Sequence, residues 1–164
     1  MKGAGRLREL YGEPLLRFAY GYLRDEVAAE VVVREVFLRA LEGDEEPDRA
    51  RPWLYRIARN LCLNQLRDGA RRGEGRLRTA FDAAESGTGA LTRLLGAERD
   101  AEVNAWLAQL STEHQEVLRL RYAEDLSRAE IAEVLQIPPS LVKTRLYEGV
   151  RRLRALASDH ESGH

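Results

Sequence analysis

Apolar residues return every three or four positions along most of this chain, and the two-residue alternation of a half-buried strand is absent, so the pattern predicts helices throughout. Between Arg6 and Leu23, Leu7, Leu10, Tyr11, Leu15, Phe18, Ala19 and Tyr22 keep helical spacing, with Pro14 placed to kink or divide the helix. Asp25 can cap a second helix running to about Leu41, which Gly43 is placed to end. That second helix is apolar on two sides. Ala29, Val33, Val36, Phe37 and Ala40 form one stripe, and Val27, Val31 and Leu38, with Arg34 among them, form another nearly opposite. A surface helix of a small domain needs one buried stripe, so the second implies more packing, within the chain or against a partner, and the sequence leaves these two readings level.

Gly43 to Asp48 (GDEEPD) reads as an acidic loop before the segment with the sharpest contrast of faces, Arg51 to Arg72. Leu54, Ile57, Ala58, Leu61 and Cys62 share one side of it, while Trp53, Arg56, Arg59, Asn60, Leu63, Arg67 and Arg71 share the other. Exposed guanidiniums are ordinarily just solvated. Here an indole and an amide stand among them, a set able to hold phosphates and to stack on or hydrogen-bond to bases.

Beyond Arg72 the periodicity lapses, and the Gly, Ser, Thr and charged content up to residue 100, including GTGALTR, is that of a linker with room for short helical turns. Helical spacing resumes with Val103, Trp106, Leu107 and Leu110, and Ser111 or Thr112 can cap the next helix, which carries Val117, Leu118 and Tyr122. Ser127 and Glu130 form a capping-box pattern ahead of Ile131, Ala132 and Leu135. Gln136, Ile137 and Pro138 turn the chain, and Pro139 suits the first position of a helix running to about Leu156. A short helix, a tight turn and a longer helix make the helix-turn-helix plan. In the longer helix Val142, Leu146, Gly149, Val150 and Leu153 point inward, whereas Ser140, Lys143, Thr144, Tyr147 and Arg151 share an outer arc narrow enough for a major groove. Arg152 and Arg154 also suit the helix end as dipole partners.

The expected fold is therefore all-α: two small helical domains, 1–72 and 101–157, joined by a flexible linker, 73–100, and followed by a polar tail, 158–164. A net charge of −1 hides alternating blocks: nine Arg face two acids in 49–78, seven acids face two Arg in 80–116, and five bases face Glu148 alone in 139–156. Two separate anion-binding surfaces follow from this, without general stickiness. Cys62 on an apolar face reads as a buried thiol, which suits a reducing cytoplasm, and no stretch has the length of a membrane span. His114, His160 and His164 lack metal-ligand spacing, and GTGALTR lacks the ending of a phosphate loop, so neither an enzyme nor a cofactor is expected.

These segments, LLRFAYGYL, EVFLRAL and above all RPWLYRIARN, then LSTEHQEVLRLRYAEDLSRAEIAEVLQIP and VKTRL, resemble in order and spacing the extracytoplasmic-function (ECF) group of bacterial RNA polymerase sigma factors. The resemblance implies a non-enzymatic protein that binds core RNA polymerase and directs it to promoters. Its first domain would dock on the polymerase through Val27, Val31, Arg34, Glu35 and Leu38 and open the minus-ten element as melted single strand through Trp53, Arg56, Arg59, Asn60 and Arg67. Its second would read the double-stranded minus-thirty-five element through Ser140, Lys143, Thr144, Tyr147 and Arg151, and an anti-sigma factor is a further expected partner.

Departures from the group's pattern are informative. Val31 to Arg34 stand where Asp-Leu-Val-Gln is usual, which predicts a more apolar grip on the polymerase or a partner-held inactive state. Gln136, Ser140 and Leu141 replace two glycines and a threonine, Glu148 replaces a frequent base, and GDEEPD places acids in a loop that the group uses to capture a base. The alternative is an autonomous helix-turn-helix regulator that does not recruit polymerase; the retained WLYRIARN face stands against it.

Overall fold

The computed structural model describes residues 2–43, 47–71 and 88–162, and among them every regular element is helical. They form two compact units. The first holds α1 (Lys2–Leu23), α2 (Glu26–Glu42) and α3 (Pro47–Arg71), each packed on the other two. The second holds α4 (Gly89–Leu95), α5 (Asp100–Leu107), α6 (Thr112–Leu118), a π-helical turn (Arg119–Ala123), most of α7 (Arg128–Leu135), and α8 (Pro139–Ser162).

The core of the first unit gathers on Phe18, which is fully buried and meets Tyr55 edge-on at a centroid distance of 5.0 Å and Tyr22 at 5.3 Å. Burying one such aromatic side chain is worth about 1.5–3 kcal/mol, which explains why this part of α1 tolerates what precedes it. Helix α1 runs through Pro14, which therefore does not divide it; Leu15 and Phe18 just beyond the proline are both fully buried and anchor the next turn. Tertiary packing outweighs the one backbone bond that proline removes. Pro52 sits inside α3 in the same way, between buried Ala50 and Leu54.

Asp25 caps α2 as expected, its Oδ1 accepting from the backbone N–H groups of Val27 at 2.9 Å and Ala28 at 3.2 Å. Gly43 ends the helix in an extended conformation, with φ of −108°. The predicted acidic loop is shorter than expected at its far end, since Pro47 and Asp48 already belong to α3; 44–46 lie outside the described residues.

Three further boundaries move in the second unit. GTGALTR is not all linker: Gly89–Leu95 is helical, buries Leu91 and Thr92, and closes on Gly96 with φ of 66°, a left-handed turn that glycine adopts without strain. The rest of the expected linker, 73–87, lies outside the described residues, as does 72. The tail is not separate either, because α8 continues to Ser162. His160 holds that last turn, its Nε2 lying 3.3 Å from Glu102 Oε2 and its ring 5.8 Å from the Trp106 ring. Finally, the helix after Ser111 widens into the π-turn, where the Glu124 N–H donates to Arg119 O at 3.1 Å. The expected Ser111 cap is present.

Candidate nucleic-acid interface

The helix pair α7–α8 is positioned by local chemistry. Ser127 Oγ accepts from the Glu130 N–H at 3.1 Å while Glu130 Oε1 accepts from the Ser127 N–H at 3.0 Å, a complete capping box that fixes the start of α7. Gln136 then takes a left-handed conformation, φ 57° and ψ 48°, and the Ile137 N–H returns to Ala132 O at 3.1 Å. This is a position where glycine would be unstrained, and a glutamine there carries a cost of about 1 kcal/mol. Pro139 is the first residue of α8, where a missing N–H leaves no bond unmade.

Val142, Leu146, Gly149 and Leu153 of α8 are buried, and Val150 is half-buried. Ser140, Lys143, Thr144, Tyr147 and Arg151 are exposed together on the opposite side, Tyr147 at 68%. At 1.5 Å per residue they span about 16 Å, close to five base-pair steps. Thr144 Oγ1 donates to Ser140 O at 3.0 Å, so its methyl group is the part left to meet a base edge.

Beside this arc lies a groove of about 450 Å³ that the sequence did not reveal. Lys143, Tyr147, Arg151 and Arg154 of α8 form one wall, and Arg121 and Tyr122 of the π-turn with Arg128 of α7 form the other. Five cations and no acid line it, a cationic concavity beside the exposed arc of α8. Arg121 is held in place by donating from Nη1 to Leu126 O at 3.1 Å. Arg154, a dipole partner on sequence grounds, faces the groove as well. The only available hint was the recurrence of Arg at positions 121 and 128, which chain order separates from α8.

In the first unit, Leu54, Ala58 and Cys62 of α3 are buried, with Ile57 and Leu61 half-buried, as the periodicity requires. Tyr55, absent from that stripe, is also buried, against Phe18. Trp53, Arg56 and Arg59 are half-buried on the other side, and Asn60 and Arg67 are exposed. Arg67 Nη2 donates to Asn64 Oδ1 at 2.6 Å, which orients its guanidinium along the helix. The side chain of Arg71 lies outside the described residues.

The second stripe of α2 faces outward. Val27, Val31 and Leu38 are exposed at 69%, 46% and 49%, so none of the described residues of the unit covers them. Arg34 is exposed beside them, and Glu35 accepts from Arg39 Nε at 3.2 Å. Among the described residues no group of three or more His, Cys, Asp or Glu could hold a metal ion, and no helix is long and apolar enough to cross a membrane.

A helix-turn-helix with a basic outer face, preceded by a three-helix unit with its own cationic, aromatic and amide face, has the makings of a nucleic-acid-binding protein. Residues 7–72 match the family model for sigma-70 region 2, and residues 101–153 match that for sigma-70, region 4. The chain is similar to the ECF RNA polymerase sigma factor SigL of Mycobacterium tuberculosis, with 37% identity over 163 residues covering 92% of this chain and 88% of that protein. It is also similar to SigW of Bacillus subtilis, with 28% identity over 168 residues covering 92% and 87%. Among solved structures, CnrH in complex with the cytosolic domain of CnrY superposes with a TM-score of 0.62 at 26% identity, covering 95% of this chain and 88% of that one. RpoE of Bartonella quintana, solved with the anti-sigma factor NepR, shares the fold with a TM-score of 0.69 at 22% identity, covering 96% and 98%. The chain belongs to the ECF sigma factors: it binds core RNA polymerase and directs promoter-specific initiation, region 2 serving the minus-ten element and region 4 the minus-thirty-five element.

Proposed function

We propose that this sigma factor divides its work among three surfaces of named residues. Lys143, Thr144, Tyr147 and Arg151, with Ser140 at the helix start, enter the major groove of the minus-thirty-five element, and Arg121, Arg128 and Arg154 hold the adjoining phosphates. Trp53, Arg56, Arg59, Asn60 and Arg67 hold the melted minus-ten strand, by stacking and by charge-assisted bonds to its backbone. Val27, Val31 and Leu38, flanked by Arg34 and Glu35, form the grip on core polymerase. On this reading the two DNA-handling regions lie in 1–72 and 101–157, and the protein acts in the cytoplasm beside the polymerase. The observation that carries the proposal is the outward apolar stripe of α2 in the same chain as two basic DNA-facing arcs, since an autonomous repressor has no use for the stripe. RpoE of Bartonella quintana, which shares this fold, was solved with the anti-sigma factor NepR, and CnrH with the cytosolic domain of CnrY, which supports a protein partner of the anti-sigma kind here too.

The test is open-promoter formation by core polymerase with this protein on a genomic promoter pool, comparing wild type with Arg56→Ala/Asn60→Ala. Productive initiation by wild type that falls at least 10-fold in the double variant, with polymerase binding retained, is expected. Stable DNA binding without polymerase recruitment would overturn the reading.

A further inference from the structure

Glu148 is the one acid among the residues of α8 from 139 to 156, and the helix position it occupies is not neutral ground. It lies four residues after Thr144 and three before Arg151, so on a helix it neighbours both members of the outer arc. An acid there opposes phosphate binding, and the simplest expectation is a mobile surface side chain. The structure holds it instead. Glu148 Oε2 lies 3.0 Å from His114 Nε2, and the other ring nitrogen, Nδ1, lies 2.8 Å from Ser111 Oγ.

The bonding around this histidine is consistent throughout. Ser111 Oγ accepts from the His114 backbone N–H at 3.3 Å and so has its hydroxyl hydrogen to give to Nδ1. Nε2 then carries the ring proton and donates to the carboxylate. His114 itself is buried, with 9% of its surface exposed, while the Glu148 side chain is 52% exposed. A second tie runs parallel, Arg145 Nη2 to Glu113 Oε2 at 3.6 Å. The first turn of α6 thereby fixes both the helix and the carboxylate at the rim of its DNA-facing arc, with one carboxylate oxygen bonded and the group still open to solvent.

A fixed carboxylate at the edge of a major-groove arc accepts best from the N4 amino group of cytosine, because the other amino donor, adenine N6, stands beside the N7 acceptor that repels it, and it disfavours the all-acceptor edge of guanine. We propose that Glu148 is a specificity-determining residue that reads a cytosine in the minus-thirty-five element, and that His114 is the positioning residue that aims it. The inference rests on α8 being the helix that enters the groove, as proposed above. It also gives the acid a reason to be there. The pairing costs little in folding, because a buried imidazole has both nitrogens satisfied, and it removes the rotational freedom that a lone glutamate would lose on meeting DNA.

The experiment uses holoenzyme reconstituted from core polymerase and the full chain, on a promoter library randomised across the minus-thirty-five element, with initiation read by transcript sequencing. Wild type is expected to prefer cytosine at one position. Glu148→Ala is expected to lose about 10-fold of that preference, with the other positions unchanged, and Glu148→Arg to move it toward guanine. His114→Gln is expected to weaken the same single preference; a merely structural histidine would lower output evenly at every position. Glu148→Ala that leaves every preference intact, or that raises initiation uniformly on all sequences, overturns the proposal and makes Glu148 a plain electrostatic opponent. Lys143→Ala/Arg151→Ala in the same library separates the two levels: if selectivity survives that variant too, the groove reading of α8 fails, whereas loss of selectivity there with none in Glu148→Ala removes the glutamate inference alone.

Discussion

Replacing Gly149 by alanine is expected to destabilise the second unit, although alanine is the better helix former. In a helix interior the exchange is worth about 1 kcal/mol in favour of alanine. At this position, however, an added Cβ would lie 3.0 Å from Leu118 Cδ1, 3.2 Å from Cγ and 3.4 Å from Cδ2, all inside the optimum of about 3.5–4.0 Å for carbon pairs. Leu118 is fully buried in the last turn of α6, and its Cγ is too near its own backbone to swing clear. Overpacking of this kind costs about 1–3 kcal/mol, so the net change is a loss of about 1 kcal/mol. Urea unfolding of the full chain measures it, followed by fluorescence in a Trp53→Phe background so that Trp106 reports the second unit. A second variant sharpens the result. Leu118→Ala alone is expected to cost about 2–5 kcal/mol, and adding Gly149→Ala to it is expected to restore part of the loss, because the new methyl group then enters the vacated space. A single Gly149→Ala variant more stable than wild type by about 1 kcal/mol would refute the argument and show that α6 and α8 are not in tight contact here.

The α2 stripe and the α7 cap can be tested in the same way. Val31→Asp is expected to weaken binding to core polymerase about 10-fold, the worth of a valine removed from a buried contact, while shifting the unfolding free energy by less than about 0.5 kcal/mol; an unchanged affinity in a competition assay would dismiss the apolar grip. Ser127→Ala is expected to lower the stability of the second unit by about 1 kcal/mol through loss of the cap on α7, and an unfolding midpoint indistinguishable from wild type would show that α7 needs no cap.

What could be read from the sequence was whatever is decided within about four residues. Asp25, Ser111 and the Ser127–Glu130 box were legible because a cap is a contact between near neighbours. The outer arc of α8 was legible because helical period alone assigns it, given Pro139 as a start. That Pro14 does not divide α1 was not legible for the complementary reason: its local preference is real, but Leu15 and Phe18 are buried, Phe18 against Tyr55 of another helix. The end of α8 was placed too early because His160 reaches back 58 positions, to Glu102. The role of His114 was not legible because its partner, Glu148, is 34 residues away, and Arg121 and Arg128 went unnoticed because only the fold brings them opposite Lys143.

The π-turn at Arg119–Ala123 makes part of the DNA-facing surface depend on chain length as well as on composition. A turn that holds one residue more than an α-helical turn delays the phase of everything after it by about 100°. Arg121 and Tyr122 enter the basic groove from inside that turn, and Leu126, just past it, is fully buried. Deleting a single residue between positions 119 and 123 would therefore leave an ordinary helix that is easier to form, yet would swing two groove residues and the entry to α7 out of register. Homologous chains that show a one-residue gap here would keep nearly every side chain and still lose the surface those side chains build together.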